Sequence, residues 1–339
     1  MLVKKIFKFK NLRFIPFIFL SACIENAPLD SLSPEGPYAR SIDELFWITF
    51  WIAVGVFVIV QGALLLSVFV FKEKPESPEP KQIHGNTKLE ILWTVIPVLI
   101  LAAIAVPTVQ TIFDLAREPE DALKIEVIGH QWWFEYKYPD YGITTANVLV
   151  IPADKPVRLE MWSNDVLHNY WVPKLNGKRY LVPGQTTYLN LHADSPDEFW
   201  AQCGEYCGLS HSKMRGRVLS LSQKDFDNWV ANEQKNATAF SSENLSLAAE
   251  GQQVYLNAGC TQCHVVNGVW DVQGDRIAPN LTHFAVRNVF AGAALENNRE
   301  NLTRWLANPA EVKPGTFMPN LELTESEINA LIAYLETLK

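Results

Sequence analysis

Two long apolar segments place the strongest constraint on what this chain can fold into. Residues 45–71 and 91–113 carry no charged side chain, and each exceeds the roughly 20 apolar residues that a helix needs to cross a bilayer. Pro97 and Pro107 interrupt the second segment, but a spanning helix tolerates proline where neighbouring groups re-satisfy the backbone. Two such segments in tandem predict a transmembrane helical hairpin within residues 23–113, rather than a pair of buried core helices.

The lysines predict how this hairpin is oriented. The connection between its segments, residues 72–88, contains four of them, namely Lys72, Lys74, Lys81 and Lys88. Short loops rich in Lys and Arg stay on the cytoplasmic side of a membrane. We therefore expect a multi-pass protein of a bacterial plasma (inner) membrane, with everything after residue 113 in the periplasm or outside the cell.

The N-terminus has the layout of an export signal. Five basic residues precede the apolar run Phe14–Leu20, and small residues follow it up to Cys23. This order predicts a signal peptide over residues 1–22. The sequence Leu20-Ser21-Ala22-Cys23 resembles a bacterial lipobox, which predicts that Cys23 is lipidated; the alternative is an ordinary signal peptide with an incidental cysteine.

Length and charge limit the remaining possibilities. A chain of 339 residues is expected to form two or three domains. Basic and acidic residues number 13 and 17 over positions 114–240, and 6 and 10 over positions 245–339. Both exported parts are mildly acidic, which argues against a nucleic-acid partner and is compatible with a basic protein partner.

The exported part divides into a β-rich half and a helical half. Short β-type runs separated by turn residues predict an all-β sandwich or barrel over residues 114–230, with the runs Lys124–Gly129, Val148–Ile151, Val157–Trp162, Thr186–Leu191 and Val218–Leu221. Residues 231–245 are polar and predict a linker. Residues 246–339 are predicted to be helical, with helices at Leu247–Asn257, Asn301–Leu306 and Thr324–Leu338, and with Thr324 and Glu327 as a capping box.

Metal-binding side chains are concentrated in one segment of the β-rich half. Cys203, Cys207, His211 and Met214 lie within twelve residues, and soft sulfur ligands favour copper. A second thiolate lets two sulfurs bridge two copper ions, and His168, beside a predicted strand, supplies a second imidazole. The alternatives are a Cys203–Cys207 disulfide, which export permits, and a zinc site, although zinc rarely recruits methionine.

The helical half carries a haem-attachment motif. Cys260-Thr261-Gln262-Cys263-His264 predicts that the two thiols attach haem c covalently and that His264 becomes an axial iron ligand; the alternative is a redox or zinc C-x-x-C pair with an adjacent histidine. Met318 is the methionine that follows this motif, so a His/Met haem is predicted, with His283 as the rival ligand. Met161 lies in a predicted strand and is expected in the core. With Cys23 included, each of the five cysteines has an assigned role.

These motifs resemble known families. Cys-x-Glu-x-Cys-Gly-x-x-His-x-x-Met is similar to the binuclear copper-A signature of cytochrome c oxidase subunit II, and residues 129–133, 166–173 and 183–184 resemble the sequence around it. The segment 246–339 resembles a class I cytochrome c, with Gly251, Tyr255 and the Pro279-Asn280-Leu281 run. The resemblance implies a two-helix transmembrane hairpin, an all-β cupredoxin-like barrel and an all-α cytochrome c domain.

The resemblance also implies roles for individual residues. The copper-A ligands would be His168, Cys203, Cys207, His211, Met214 and the main-chain carbonyl of Glu205. The Glu205 side chain would reach a magnesium ion shared with subunit I, Trp132 would be the surface aromatic that receives electrons, and Glu90 would lie at the mouth of a proton pathway. Trp133, Tyr136 and Tyr206 are equally well explained as packing residues. Tyr180 replaces an acidic residue usual in family members that accept a diffusing cytochrome c.

The composite resembles a caa3-type haem–copper oxidase. It implies an electron-transfer subunit that works with oxidase subunits I and III, where oxygen reduction and proton pumping occur in the partner. The same chain could serve a copper-A nitric oxide reductase, and a copper-delivery protein is an alternative from another class. A quinol-oxidase subunit is disfavoured because all the copper ligands are present.

Overall fold

A computed structural model of the chain describes residues 27–73, 75–76, 78–79, 82–241, 246–271 and 277–339. The predicted signal peptide and the lipidation site Cys23 lie outside the described residues. So do Lys74 and Lys81 of the predicted cytoplasmic loop, and the last four residues of the predicted linker.

The two apolar segments form the two long helices, α1 (Pro37–Val70) and α2 (Thr87–Ala116). Each is longer than the apolar run that predicted it, because polar turns extend α1 at its start and α2 at both ends. The Asn86 side chain caps α2 by accepting hydrogen bonds from two backbone N–H groups in its first turn. Both helices are long and apolar enough to cross a membrane, and their most apolar windows contain no buried residue.

Ten strands form two five-stranded sheets after α2. The first sheet has the order β3-β2-β1-β5-β8, with β1 (Leu123–His130), β2 (Trp133–Tyr138), β3 (Ile143–Ala146), β5 (Val157–Ser163) and β8 (Thr187–Leu191). The second has the order β4-β10-β9-β6-β7, with β4 (Val148–Pro152), β6 (His168–Trp171), β7 (Arg179–Leu181), β9 (Asp197–Cys203) and β10 (Arg215–Leu221). The pairs β1–β5 and β4–β10 are parallel, which short-range strand spacing could not predict.

Aromatic side chains fill the core between the two sheets. Phe134, Tyr136 and Tyr170 have no exposed surface, and the hydroxyls of the two tyrosines lie 3.2 Å apart. Met161 is fully buried in β5, as predicted. Close-packed interiors resist displacement, so this core is a rigid support for the loops at its ends.

A helix that the sequence did not predict closes the β domain. α3 (Gln223–Glu233) begins at the N-cap Ser222 and buries Phe226 against the β domain. It includes the first three residues of the predicted linker, so the connection to the next domain starts later than expected.

The C-terminal domain is helical, as predicted. It contains α4 (Leu247–Asn257), α5 (Arg299–Ala307), α6 (Pro309–Val312), α7 (Glu325–Leu335) and a small ribbon of β11 (Val289–Phe290) and β12 (Leu295–Glu296). The Thr324–Glu327 capping box is present at the start of α7. A Cβ on Gly251 would collide with the Ala330 carbonyl, so glycine permits the close crossing of α4 and α7. Single turns of 3-10 helix occur at Pro139–Tyr141, His211–Lys213, Cys260–Gln262 and Phe284–Val286.

Candidate copper and haem sites

The predicted copper ligands converge at one end of the β domain. Cys203 ends β9, His168 begins β6 beside it, and the Cys203 sulfur lies 4.0 Å from His168 Nδ1. The Cys207 sulfur lies 3.6 Å from His211 Nδ1 and 3.8 Å from Met214 Sδ. The Glu205 carbonyl oxygen lies 3.2 Å from the Cys203 sulfur. The loop from β9 to β10 thus supplies five donors, and the neighbouring strand supplies the sixth.

The two sulfurs of this cluster are not bonded to each other. They lie 3.8 Å apart, whereas a disulfide bond is about 2.05 Å long. Two thiols, two imidazoles and a thioether, each with its donor atom within 4.0 Å of a cysteine sulfur, suit a soft metal such as copper better than zinc. The geometry therefore favours the copper prediction over its two alternatives.

Asp165, for which no role was predicted, orients His168. Its carboxylate lies 2.7 Å from His168 Nε2, and it also accepts the backbone N–H of Gln131. Burial is the largest single influence on the pKa of His168 and lowers it, but the interactions with Asp165 and Cys203 together outweigh burial, so the pKa is raised. With Nε2 occupied, only Nδ1 is free to face the two sulfurs. A carboxylate behind a histidine ligand is common at metal sites, and the three-residue spacing to His168 could have indicated it.

The environment of Cys203 favours the thiolate. A hydrogen bond from the Cys207 thiol lowers the pKa of Cys203 to about 4, against the opposing effect of burial. Thiolate is the form that binds metal. The Cys207 thiol therefore stabilises the Cys203 sulfur in the form that binds metal.

Glu205 lies at the edge of this cluster, where Tyr180 meets it. Its carboxylate accepts a hydrogen bond from the Tyr180 hydroxyl, which raises the pKa of that phenol. Tyr180 is the residue that departs from the acidic pattern of the family. Here it contacts the side chain predicted to reach magnesium.

Trp132 lies at the tip of the β1–β2 hairpin, but it is not a surface residue. Only 5% of it is exposed, so the expectation of a surface aromatic was wrong. Its indole Nε1 donates to the Cys207 carbonyl at 2.9 Å. Its ring lies against two glycines, because a Cβ added at Gly208 would come 2.9 Å from the ring and one added at Gly315 would come 2.7 Å from it. The C-terminal domain covers Trp132, which was expected to lie at the surface.

A crevice of about 530 Å³ in the C-terminal domain reaches the same tryptophan. Its lining includes the predicted haem residues Cys260, Cys263, His264 and Met318. His264 Nδ1 donates to the Pro279 carbonyl at 2.7 Å, which leaves Nε2 as the atom available to iron. The volume, the apolar walls and the two half-buried thiols fit a covalently attached haem.

The two candidate distal ligands are in different places. Met318 lines the crevice, whereas His283 is outside its lining and lies 3.0 Å from the Lys235 carbonyl oxygen through Nε2. His283 instead borders a small polar cavity with Glu233 and Arg287. Arg287, for which no role was predicted, also lines the haem crevice. The geometry favours Met318.

Two ligand loops contact each other directly: the copper loop, residues 204–214, and the haem loop, residues 312–318. Ser210 Oγ, in the copper loop, donates to the Pro314 carbonyl at 2.6 Å. Lys213 Nζ donates to the Val312 carbonyl, and Lys313 Nζ donates to the Trp132 carbonyl. Burial lowers the pKa of Lys313 to about 7. Neither lysine was singled out in the sequence, because nothing in their spacing indicates contact between domains.

The remaining candidates divide between core and surface. Trp133 and Tyr136 are buried, which agrees with packing roles, whereas Tyr206 is 75% exposed beside His211. Glu90 is exposed in the first turn of α2.

Comparisons with known proteins agree with this division of the chain. Family profiles match residues 30–111 as the transmembrane domain of cytochrome c oxidase subunit II, residues 142–220 as its periplasmic domain, and residues 248–339 as cytochrome c. A "Cytochrome c oxidase subunit 2" of Alkalihalophilus pseudofirmus is 37% identical, over 96% of this chain and 97% of the relative.

Two further relatives indicate how broad the family is. A protein of Bacillus subtilis with the same name is 37% identical, over 78% of each chain. A "Probable quinol oxidase subunit 2" of Staphylococcus epidermidis is 35% identical, over 66% of this chain and 60% of the relative. This chain belongs to the cytochrome c oxidase subunit II family, as an oxidoreductase subunit with a cytochrome c domain fused to its C-terminus.

Proposed function

We propose that this chain is the electron-input subunit of a caa3-type terminal oxidase. It accepts electrons from an external donor at a haem c and delivers them through a binuclear copper-A centre to subunit I, where oxygen is reduced and protons are pumped. The observation that carries the proposal is the contact between the two ligand loops around Trp132. A fused carrier domain is useful for electron transfer only if its cofactor lies against the next centre.

The copper donors are assigned from their convergence. His168, Cys203, Cys207, His211, Met214 and the Glu205 carbonyl would hold two copper ions. Copper bound by such sulfur and imidazole ligands supplies one-electron chemistry. The chain's own part is to fix those donors on a rigid barrel, with His168 oriented by Asp165.

The haem donors are assigned in the same way. Cys260 and Cys263 would attach haem c, and His264 and Met318 would be its axial ligands. Methionine as the second ligand raises the reduction potential of a haem. The chain orients His264 through the Pro279 carbonyl and shields the crevice with apolar walls.

The burial of Trp132 bears on where the donor docks. A soluble cytochrome cannot reach this tryptophan while the fused domain covers it. The donor, a cytochrome or another carrier, would therefore deliver electrons to the fused domain. The Tyr180 substitution supports this assignment, because it removes an acidic residue from the face that a diffusing cytochrome c would use.

The outer parts of the chain are assigned from the resemblance. α1 and α2 would anchor the protein in a bacterial plasma membrane as a multi-pass hairpin beside subunits I and III, with the soluble domains outside. Glu205 would reach a magnesium ion shared with subunit I, Glu90 would lie near a proton pathway in that subunit, and Cys23 would carry a lipid.

Two alternatives predict different observations. A copper-A nitric oxide reductase would use the same input subunit, so only the partner's active site distinguishes it. A copper-delivery protein would not need a cytochrome domain whose ligand loop is docked on the copper loop. The quinol-oxidase relative is similar over two thirds of this chain, but the complete set of copper donors favours copper-A here.

Metal and haem analysis of the purified full-length chain tests the proposal. We expect about two copper ions and one covalent haem per chain, with a mixed-valent copper spectrum. Copper that exchanges freely with a weak chelator, or haem without copper, would contradict the relay. Replacing Met214 with Leu should change the copper spectrum and leave the haem spectrum unaltered.

A further inference from the structure

A buried lysine joins the haem ligand loop to the copper domain. Lys313 is 4% exposed, and its Nζ donates to the Trp132 carbonyl and, at 2.9 Å, to the Ala291 carbonyl. Placing an amine in a protein interior is unfavourable unless hydrogen bonds replace its hydration. Both a charged and a neutral amine have at least two N–H donors, so the two hydrogen bonds do not depend on the protonation state.

The backbone of Lys313 is fixed at both sides. Its N–H donates to the Pro309 carbonyl at 2.8 Å, and its own carbonyl accepts from the Thr316 N–H at 3.1 Å. These bonds place it between α6 and the residues that carry Phe317 and Met318. Movement of its side chain would therefore be coupled to the loop that presents the distal haem ligand.

Trp132 is held at two points by the two ligand loops. Lys313, from the haem loop, binds its main-chain oxygen, and the Cys207 carbonyl, from the copper loop, accepts from its indole nitrogen at 2.9 Å. Phe317 stacks on the same ring. Removing one of the two hydrogen bonds would leave the indole free to shift relative to either centre.

Gly292 makes room for this arrangement. A Cβ at this position would collide with both Lys313 Nζ and the Trp132 carbonyl oxygen, and its φ of +76° also disfavours any other residue. The lysine thus occupies a space bounded by Ala291, Gly292 and Trp132. The hydrogen bond from Ser210 to the Pro314 carbonyl also connects the two loops, and Trp132 is not a partner in it.

We propose that Lys313 is a positioning residue for electron transfer between the haem and the copper centre. Its amine holds the Trp132 backbone so that the indole stays stacked on Phe317 and bonded to Cys207. The inference rests on the proposed function, since it presumes that electrons pass between these two centres. Lys313 is not one of the proposed metal ligands, and it acts through Trp132.

The test compares three variants of the full-length chain in its oxidase complex. Lys313→Met removes both hydrogen bonds, Lys313→Gln keeps an amide with two N–H donors and no charge, and Lys224→Met changes an exposed lysine of α3. Photochemical reduction of the haem, followed by absorbance at both centres, gives the rate of electron transfer. Redox titration gives the two midpoint potentials.

We expect Lys313→Met to slow the transfer roughly 10- to 100-fold, because misplacement by about 1 Å can cost about 100-fold in rate. Both potentials should stay unchanged, Lys313→Gln should be intermediate, and Lys224→Met should match the unmodified protein. A wild-type rate in both Lys313 variants would overturn the inference. So would a slower rate fully explained by a changed potential difference. Absence of transfer in the unmodified protein would instead refute the proposed function.

Discussion

The indole ring of Trp132 lies parallel to the phenyl ring of Phe317, with centroids 6.3 Å apart and planes 7° apart. Trp132 comes from a two-residue hairpin turn of the β domain, and Phe317 precedes Met318 in the haem crevice. The stack therefore joins the walls of two cofactor sites through two residues that lie 185 positions apart in the chain. It also explains why a tryptophan expected at the surface is buried.

The indole nitrogen of Trp132 can be tested separately from its ring. Trp132→Phe keeps an aromatic ring beside Phe317 but removes the donor to the Cys207 carbonyl. We expect haem-to-copper transfer to slow by roughly tenfold or more, since small displacements at a reacting centre have large effects on rate. Flash-induced reduction of the haem, with absorbance recorded at the copper band, measures it.

Trp229→Phe is the matched control, because that indole packs against Tyr138 and Phe226, two residues of the β domain. It should transfer electrons at the wild-type rate. If Trp132→Phe behaves like this control, the hydrogen bond to Cys207 has no part in the transfer.

Gly315 sets how closely the two domains approach. Its φ is +81°, and an added Cβ would lie 2.7 Å from Trp132 Cη2. Gly142 has a similar φ of +66°, but nothing lies within 4 Å of an added Cβ there. Gly142→Ala should therefore cost only the backbone penalty of about 1 kcal/mol, whereas Gly315→Ala adds roughly 1–3 kcal/mol of overpacking.

Thermal unfolding of the two alanine variants separates these contributions. Gly315→Ala should have the lower Tm and a higher accessibility of Trp132 to a fluorescence quencher. Equal melting temperatures and equal quenching would mean that the domains do not meet at this glycine in solution.

The sequence predicted those features that depend on local spacing. Apolar runs predicted α1 and α2, and Thr324 with Glu327 predicted the start of α7. The family and its fold could be predicted because their motifs are short and specific, and both predictions were confirmed. The ends of the helices were less accurate, since polar turns such as the start of α1 do not belong to any apolar run.

Contacts between domains were not predictable from the sequence. Lys313 reaches Trp132 across 181 positions, and Arg287 faces both the haem crevice and a polar cavity only after folding. The parallel pairing of β1 with β5 likewise depends on how the chain crosses between the sheets. Asp165 could have been proposed as a partner of His168, because it precedes this histidine by three residues. Such a spacing also occurs by chance.

Asp165 should control copper binding through His168. Asp165→Asn keeps the size of the side chain but removes the carboxylate that lies 2.7 Å from His168 Nε2. Loss of such a partner typically costs roughly 10- to 100-fold in metal affinity. We expect copper affinity, measured by competition with a chelator, to fall within this range while the haem content stays constant.

A second Asp–His pair provides the control for this prediction. Asp154 lies 3.6 Å from His192 Nε2, and its side chain is 90% exposed. Asp154→Asn should leave copper affinity unchanged. Comparable losses in the two variants would indicate a general effect on folding rather than orientation of a ligand.

Glu233 should make the stability of the protein depend on pH. Burial raises its pKa above the ordinary value of 4.5, although the nearby Arg287 and His283 oppose the shift. The folded state therefore binds this proton more tightly than the unfolded state. The free energy of unfolding should decrease as pH rises from about 4.5 through the folded-state pKa, and remain lower above it.

Glu233→Gln removes this ionisation and keeps the shape of the side chain. The variant should be more stable than the unmodified protein at neutral pH, by about 1.4 kcal/mol if the pKa of Glu233 is one higher in the folded state than in the unfolded state. The advantage should disappear below pH 4.5, where Glu233 is protonated in both states. Arg287 and His283 remain in both proteins, so their titration affects each curve similarly. Denaturant unfolding at several pH values measures the difference; a variant less stable at neutral pH would show that ionised Glu233 stabilises the cavity through Arg287.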